Sequence, residues 1–326
     1  MHFGSKQNNN PSYYAKTITM LEKVWLKKGS FMRRIYDDMP FPIDFNVYLF
    51  NITNPDEVAS GELPKLQEVG PYRFREWKKR IDQSEDNAED SLTYTLIDRF
   101  ELIDSNGLTG QETIVMPHMI IMSTLVLIKK DREPMLPLVS KALETIFKDP
   151  NMIFMTATAM DIMFNGLLIK CDSEDFGAKA FCVALETEAK GLEMLGDRKF
   201  AFSLFGLMLT TCMVIDICRS LGPHYLRKSK VTGIPTGLYS VDFTIDKNNS
   251  EELCYCSDPP DECPEDGTMD LQPCLNAPIV ATKPYFLGAP ESYSSKMNLN
   301  PLPHKHDIIV HLDPVCFFTI NFKQKI

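Results

Sequence analysis

The stretch Leu92-Thr-Tyr-Thr-Leu-Ile-Asp-Arg-Phe-Glu-Leu102 decides the fold class. Leu92, Tyr94, Leu96, Phe100 and Leu102 alternate with polar residues, the period-two pattern of an antiparallel strand with one face buried. The same alternation returns in Tyr239, Val241, Phe243 and Ile245, and again from Phe318 to Ile326. Upstream, Pro40-Phe41-Pro42 leads into Phe45-Asn-Val-Tyr-Leu-Phe50, which reads as a further strand, and Asn54-Pro55 turns the chain after it. The clearest helix lies between the alternating segments. Glu133-Pro134 opens it and Asp149-Pro150 closes it. Met135, Leu138, Val139, Ala142, Leu143, Ile146 and Phe147 form one apolar face, and Ser140, Lys141, Glu144, Thr145 and Lys148 form the other. That face either covers a core or lines an apolar pocket. Shorter helices are expected from Ile18 to Trp25, stopped at Gly29, and within residues 174–192. No strand–helix–strand rhythm runs through the chain, so the expected class is α+β.

Composition excludes several functions. The chain has 326 residues, with 34 Lys and Arg against 44 Asp and Glu, a net charge of −10. A phosphate-binding surface needs the opposite excess, so no nucleic-acid partner is expected. The mean hydropathy of −0.16 is too polar for a protein that crosses the membrane many times. One uncharged stretch, Phe200 to Ile215, approaches membrane length, but Asp216 ends it short of the ~20 residues that a spanning helix needs. It reads as buried structure. Met1 to Tyr14 is polar and lacks the apolar centre of a signal peptide.

The cysteines point to an oxidising compartment. Four of the nine crowd into Cys254-Tyr-Cys256, Cys263 and Cys274, among Pro259, Pro260, Pro264 and Pro273. A loop so rich in proline and acid has little core, and disulfides are its usual staple; a zinc site of four thiolates is the alternative, although the spacings fit no common zinc ribbon. The sequons Asn51-Ile-Thr53 and Asn248-Asn-Ser250 favour the same extracytoplasmic setting. No phosphate loop, nucleophile elbow or paired-histidine zinc motif is present, so no enzyme and no cofactor are expected. His304, His306, Asp307 and His311 could form a metal site if His304 and His306 shared a face of an extended strand, but the plainer reading is exposed polar residues.

Several segments together resemble the class B scavenger receptor family, closest to its insect sensory branch. They are Leu26-Lys-Lys-Gly-Ser30, Met39-Pro-Phe-Pro-Ile43, Val47-Tyr-Leu-Phe-Asn-Ile-Thr-Asn-Pro55 and Glu68-Val-Gly-Pro-Tyr72. Asp216-Ile-Cys-Arg-Ser-Leu221, Cys254-Tyr-Cys256, Leu271-Gln-Pro-Cys274 and Leu299-Asn-Pro301 continue the pattern in order. The resemblance implies an ectodomain over residues 20–326, with residues 1–19 unmatched. Its expected architecture is a large antiparallel β-barrel with short helices, an apical helical bundle and an internal apolar tunnel. It further implies a cell-membrane receptor, without enzymatic activity, that takes lipidic ligands such as fatty pheromones or odorants and passes them to an odorant receptor channel. The alternative is a scavenger or adhesion receptor that recognises lipoprotein or protein at the apex. The helix at 134–148 corresponds to an apical helix, so Leu138, Ala142, Lys141 and Lys148 become the expected ligand-contact residues, and Asn51 and Asn248 the glycosylation sites.

The departures from the family pattern have consequences of their own. Against the family pattern, counterparts of its two membrane anchors are not expected within this sequence. An internal deletion is expected near 206–215, where the chain leaves the family pattern after Phe202-Ser-Leu-Phe-Gly206 and rejoins it at Asp216. By the family pattern Cys218 pairs with Cys274 and Cys256 with Cys263, while the partner of Cys254 lies in the missing stretch, leaving Cys254 unpaired or mispaired. Cys171 and Cys182 either form a further pair or stay as buried thiols, and Cys316 is expected to remain free.

Overall fold

In a computed structural model, the structure describes residues 26–88, 91–147, 153–188, 192–194, 199–202, 221–231, 233–250, 252–256, 263–272, 278–312 and 319–323. The chain divides into two units, residues 1–47 with 72–107 and residues 48–71 with 108–326.

The first unit contains helix α1 (Phe31–Asp37) and a sheet of strands β1 (Ile43–Ile52), β2 (Leu66–Asp86) and β3 (Ser91–Leu102), in that order, of which β1 contributes up to Val47 and β2 from Tyr72. Exposure along β3 alternates from Ser91 to Leu102 without a break, as its sequence demands. Phe45 stacks on Phe74 with ring centroids 5.5 Å apart and meets Phe100 edge-on at 5.9 Å. Further along the same face of β2 the packing turns ionic. Lys78 is buried opposite its register partner Asp98, with Nζ 3.1 Å from Oδ1, and also donates to Glu76. Ser30 caps α1 by accepting from the Arg33 N–H at 3.0 Å. The buried Arg33 guanidinium in turn donates to Asp37 at 2.7 Å, to Glu85 at 2.6 Å and to the Leu26 carbonyl at 3.1 Å.

The second unit carries a helical excursion set on a strand pair. After α2 (Pro55–Ala59), strand β4 (Thr113–Pro117) runs into helix α3 (Met119–Asp131), a 3-10 turn (Glu133–Met135) and helix α4 (Leu136–Phe147). Strand β5 (Phe154–Thr158) then returns antiparallel to β4 and closes the base of the excursion. His118 Nδ1 accepts from the Ile121 N–H at 3.4 Å, capping α3, and the His118 ring meets Phe147 of α4 edge-on at 4.6 Å. One residue thereby ties the start of the excursion to its end. Strand β6 (Leu167–Lys170), helix α5 (Phe176–Glu188), β7 (Leu192–Met194) and β8 (Lys199–Phe202) follow, with the strands in the order β6-β8-β7. Ile120, Ile146, Ile169, Cys171, Ala178 and Cys182 form the core between these helices and β6.

The remainder is strand and loop. β9 (Pro223–Val231) and β10 (Ile234–Val241) form a hairpin, β11 (Thr268–Asp270) pairs with β12 (Val280–Thr282), and after α6 (Glu291–Lys296) and α7 (Pro303–His306) come β13 (Ile309–Leu312) and β14 (Thr319–Lys323). The hairpin belongs to a sheet ordered β14-β13-β10-β9. The described strands form several small separate sheets, and none closes into a barrel, which corrects the expectation drawn from the resemblance. The helix and strand mixture itself holds.

Two backbone positions carry measurable consequences. Gly267 has φ of +68°, and a Cβ there would lie 2.3 Å from the Gly288 carbonyl carbon and oxygen. Gly267→Ala combines left-handed strain with a backbone collision, so we expect it to cost about 2 kcal/mol in chemical denaturation; an unchanged midpoint would show that the two loops part freely. Tyr285 also has positive φ, +60°, and is held by its side chain. Its hydroxyl donates to Glu68 at 2.8 Å, its ring stacks on His306 at 4.0 Å, and Phe50 packs edge-on against it at 5.4 Å. Burial first, and then the Glu68 carboxylate, push its pKa from 10.0 up to about 12. A raised folded value favours the protonated phenol. Its stabilisation is complete below the unfolded pKa and is lost as pH rises from about 10 to about 12. Tyr285→Phe should flatten the alkaline unfolding curve in that window, and a curve with the wild-type slope would contradict this.

Candidate ligand-contact site

Helix α4 meets α5 at a glycine. A Cβ placed on Gly177 would lie 3.3 Å from Leu138 Cδ1 and 3.5 Å from the Ala142 Cβ, so the small residue sets how closely the two helices approach. Asp175 accepts from the Ala178 N–H at 2.9 Å and holds the start of α5. Cys171, just after β6, is bonded to Cys182 within α5, with Cα atoms 5.9 Å apart. The helix is therefore fixed at its cap, at its glycine contact and by a covalent bond.

The expected contact residues separate in this arrangement. Ala142 is buried with Leu143 and Ile146 in the core face of α4. Leu138 stays 42% exposed although it touches the Gly177 turn, and Lys141 is exposed on the outer face. The structure thus brings Leu138 and Ala142 together at Gly177 and puts Lys141 on another face; Lys148 lies outside the described residues. The expected single apolar face holds only in its second half, since Met135 is exposed as well as Leu138.

Sequence reasoning missed the rest of the apolar surface. Met122 and Val126 on α3 and Phe176 and Val183 on α5 are all exposed, Phe176 at 79%. The signal was available in Met119-Ile-Ile-Met-Ser-Thr-Leu-Val-Leu-Ile128, which is apolar around its whole circumference. A helix of that kind resting on one core must leave apolar side chains uncovered. Lys129 and Lys130 occupy its last turn, favourable for the helix dipole, and are exposed. The three helices therefore present exposed apolar residues, and α3 and α4 carry exposed lysines as well.

Two cavities lie elsewhere in this unit. One of about 330 Å³ is lined by residues including Phe286, Glu291, Ser294 and Asn300; the other, of about 440 Å³, by residues including His224, Asp242, Asp246 and Asn248. Both are open depressions at the surface, with polar and apolar groups in their linings. The histidine cluster does not assemble. Pro303 starts a helical turn instead of a strand, leaving His304 exposed and His306 buried with its Nδ1 accepting from the Leu302 N–H at 3.0 Å. His311 Nδ1 is 3.2 Å from the Thr236 hydroxyl. Among the described residues no group of His, Cys, Asp and Glu is arranged to hold a metal. Cys256 and Cys263 are disulfide-bonded and Cys254 is exposed, whereas Cys218, Cys274 and Cys316 lie outside the described residues.

Residues 11–212 and 211–326 match the model of the CD36 family, the class B scavenger receptors. The chain belongs to that family, whose members are receptors rather than enzymes. It is 36% identical to a protein of Aedes aegypti named sensory neuron membrane protein 1, over 89% of this chain and 65% of that one. Its counterpart of the same name in Anopheles gambiae is 33% identical over 91% of this chain and 66% of the relative, and that of Manduca sexta 32% over 92% and 70%. The chain thus spans about two thirds of their length. These alignments run over 354 to 365 residues, more than the 326 of the chain, so each relative carries internal residues with no counterpart here. Among the described residues no helix is long and apolar enough to cross a membrane.

Proposed function

We propose that this chain is the ectodomain part of a cell-membrane receptor in chemosensation, which takes up long-chain lipidic ligands such as pheromones or odorants. The observation that carries this reading is the 30–36% identity, over about nine tenths of the chain, to proteins named sensory neuron membrane protein 1. The exposed apolar residues of α3, α4 and α5, together with the exposed lysines Lys129 and Lys130 of α3 and Lys141 on another face of α4, support ligand capture at these helices. Each CH₂ of a fatty chain withdrawn from water contributes about 0.8 kcal/mol, which gives a bundle surface its affinity without any catalytic group. Passage of the captured ligand onward to an odorant receptor channel is the finer form of the proposal. The match to the family model in two pieces that meet at residues 211–212 supports an internal stretch missing near 206–215.

Saturable uptake of a fluorescent long-chain fatty acid by the purified chain at micromolar concentration is expected, and a correctly folded sample without it would sink the reading. Lys141→Glu separates it from an adhesion role: binding of lipoprotein particles should fall while fatty-acid uptake persists if the apex recognises particles. Glycosylation is proposed at both sequons, with unequal fit. Asn248 is exposed beside Asp246, whereas the Asn51 side-chain oxygen accepts from the Val115 N–H at 2.8 Å in a half-buried position. Peptide mapping of the secreted chain should find Asn248 occupied more fully than Asn51; the reverse order would contradict the packing argument.

A further inference from the structure

Among the described residues, strand β9 is covered on neither face from Pro223 to Lys228. A strand resting on a core alternates in exposure, as β3 does, but Pro223 to Lys228 are six consecutive exposed residues. β10 pairs with one edge of β9, and no described strand pairs with the other. Along this open edge lie Tyr225, 55% exposed, Leu226, Arg227, Lys228 and Lys230. None of the three cations forms an ion pair among the described residues. The 25 residues between Asp216 and Asp242 contain no Asp or Glu, in a chain whose net charge is −10. The basic segment is a local reversal of the protein's charge.

A bulge arranges these side chains. Lys230, Lys228 and Tyr225 pair with Pro235, Gly237 and Tyr239, three alternate residues of β10 that share a face, because the register shifts once between Leu238 and Tyr239. Without the extra residue, Tyr225 would lie on the face of Arg227. With it, an aromatic ring and two ammonium groups follow one another along one face. Tyr239 sits edge-on to Tyr225 at 5.4 Å and lies over Gly237, where a Cβ would come within 2.6 Å of its ring.

We infer that the open edge of β9 is a binding site for a sulfated linear polysaccharide of the heparan sulfate type. The disulfides Cys171–Cys182 and Cys256–Cys263 place the folded chain in an oxidising, extracytoplasmic compartment. Anionic phospholipids belong chiefly to the cytoplasmic leaflet, so a bilayer is the poorer match for a basic surface on that side. Sulfated polysaccharides are extracellular, linear and densely anionic. An extended strand sets its cations in a line, about 7 Å apart at alternate positions, instead of in a broad patch. Exposed tyrosine faces also suit sugar rings. Lysines on an edge strand can serve merely to deter pairing with another chain; that role requires charge but neither Tyr225 nor the polyanion.

The test uses heparin and the purified, disulfide-bonded chain. Heparin should bind at low salt, weaken steeply as salt rises, and lose at least about tenfold in affinity in the variant Arg227→Ser/Lys228→Ser/Lys230→Ser. Replacing Lys228 and Lys230 by Arg should retain binding, Tyr225→Ser should weaken it several-fold, and Lys129→Ser/Lys130→Ser on α3 should leave it unchanged. Heparin affinity that survives the triple substitution would overturn the site. So would tighter binding of the hairpin to phosphatidylserine vesicles or polyglutamate than to heparin. Fatty-acid uptake by the triple variant should equal wild type, which keeps this inference separate from the receptor reading.

Discussion

Lys78→Met is expected to destabilise the first unit by about 3–5 kcal/mol, because it removes the cation that two buried carboxylates share. Lys78 and Asp98 are direct register partners on neighbouring strands, both with side chains 7% exposed, and Glu76 reaches the same ammonium from two positions along β2. The attraction that binds the three scarcely exceeds what it costs to take them out of water. Removing only the lysine keeps that cost, drops the attraction and leaves two like charges facing each other. Replacing the trio together, by Met at 78, Leu at 98 and Gln at 76, should therefore recover most of the loss. Urea denaturation with a probe in β2 or β3 measures both variants. A single-variant loss below about 1 kcal/mol would mean that water reaches the trio.

This ion cluster marks the boundary of what the sequence makes legible. The alternation in Leu92–Leu102 identifies β3, and its exposure pattern follows from the same periodicity. Yet period two also places Asp98 on the inner face, where composition alone expects a polar residue to point outwards. Only the register of β2 against β3, set over many residues, supplies Lys78 as its partner. Helix α4 was legible from its apolar spacing and its two prolines, but periodicity cannot say how far along the helix the core extends. Ala142, Leu143 and Ile146 reach it, whereas Met135 and Leu138 do not. The histidines failed for a local reason, since Pro303 favours the first turn of a helix and thereby rotates His304 away from His306. The barrel rested on resemblance rather than on any pattern in the residues, and the described strands form separate small sheets.

Removing the disulfide of the helical bundle by Cys171→Ser/Cys182→Ser should cost about 3 kcal/mol, and the loss should be concentrated in α5. The bond closes a separation of 11 residues, for which unfolded-chain entropy alone gives about that figure. Packing adds to it, because both cysteines are buried with Ile120, Ile146 and Ile169, and each serine would bring a hydroxyl into that apolar core. The double substitution by Ala removes the bond while sparing the core a polar group, so the difference between the two variants isolates the hydroxyl cost. Local unfolding is the more telling readout. With the bond gone, α5 keeps the Asp175 cap and the Gly177 contact with α4, but loses its covalent tie to the end of β6. Hydrogen exchange should accelerate first at residues 176–185 and only later at β4 and β5, whose ladder does not involve the bond. Fatty-acid uptake should weaken in parallel if the exposed residues Leu138, Phe176 and Val183 form one ligand surface, because that surface exists only while α5 is docked. Uptake that persists with α5 in fast exchange would place ligand capture on α3 and α4 alone, and unchanged exchange in both variants would show that α5 is held by its packing without the disulfide.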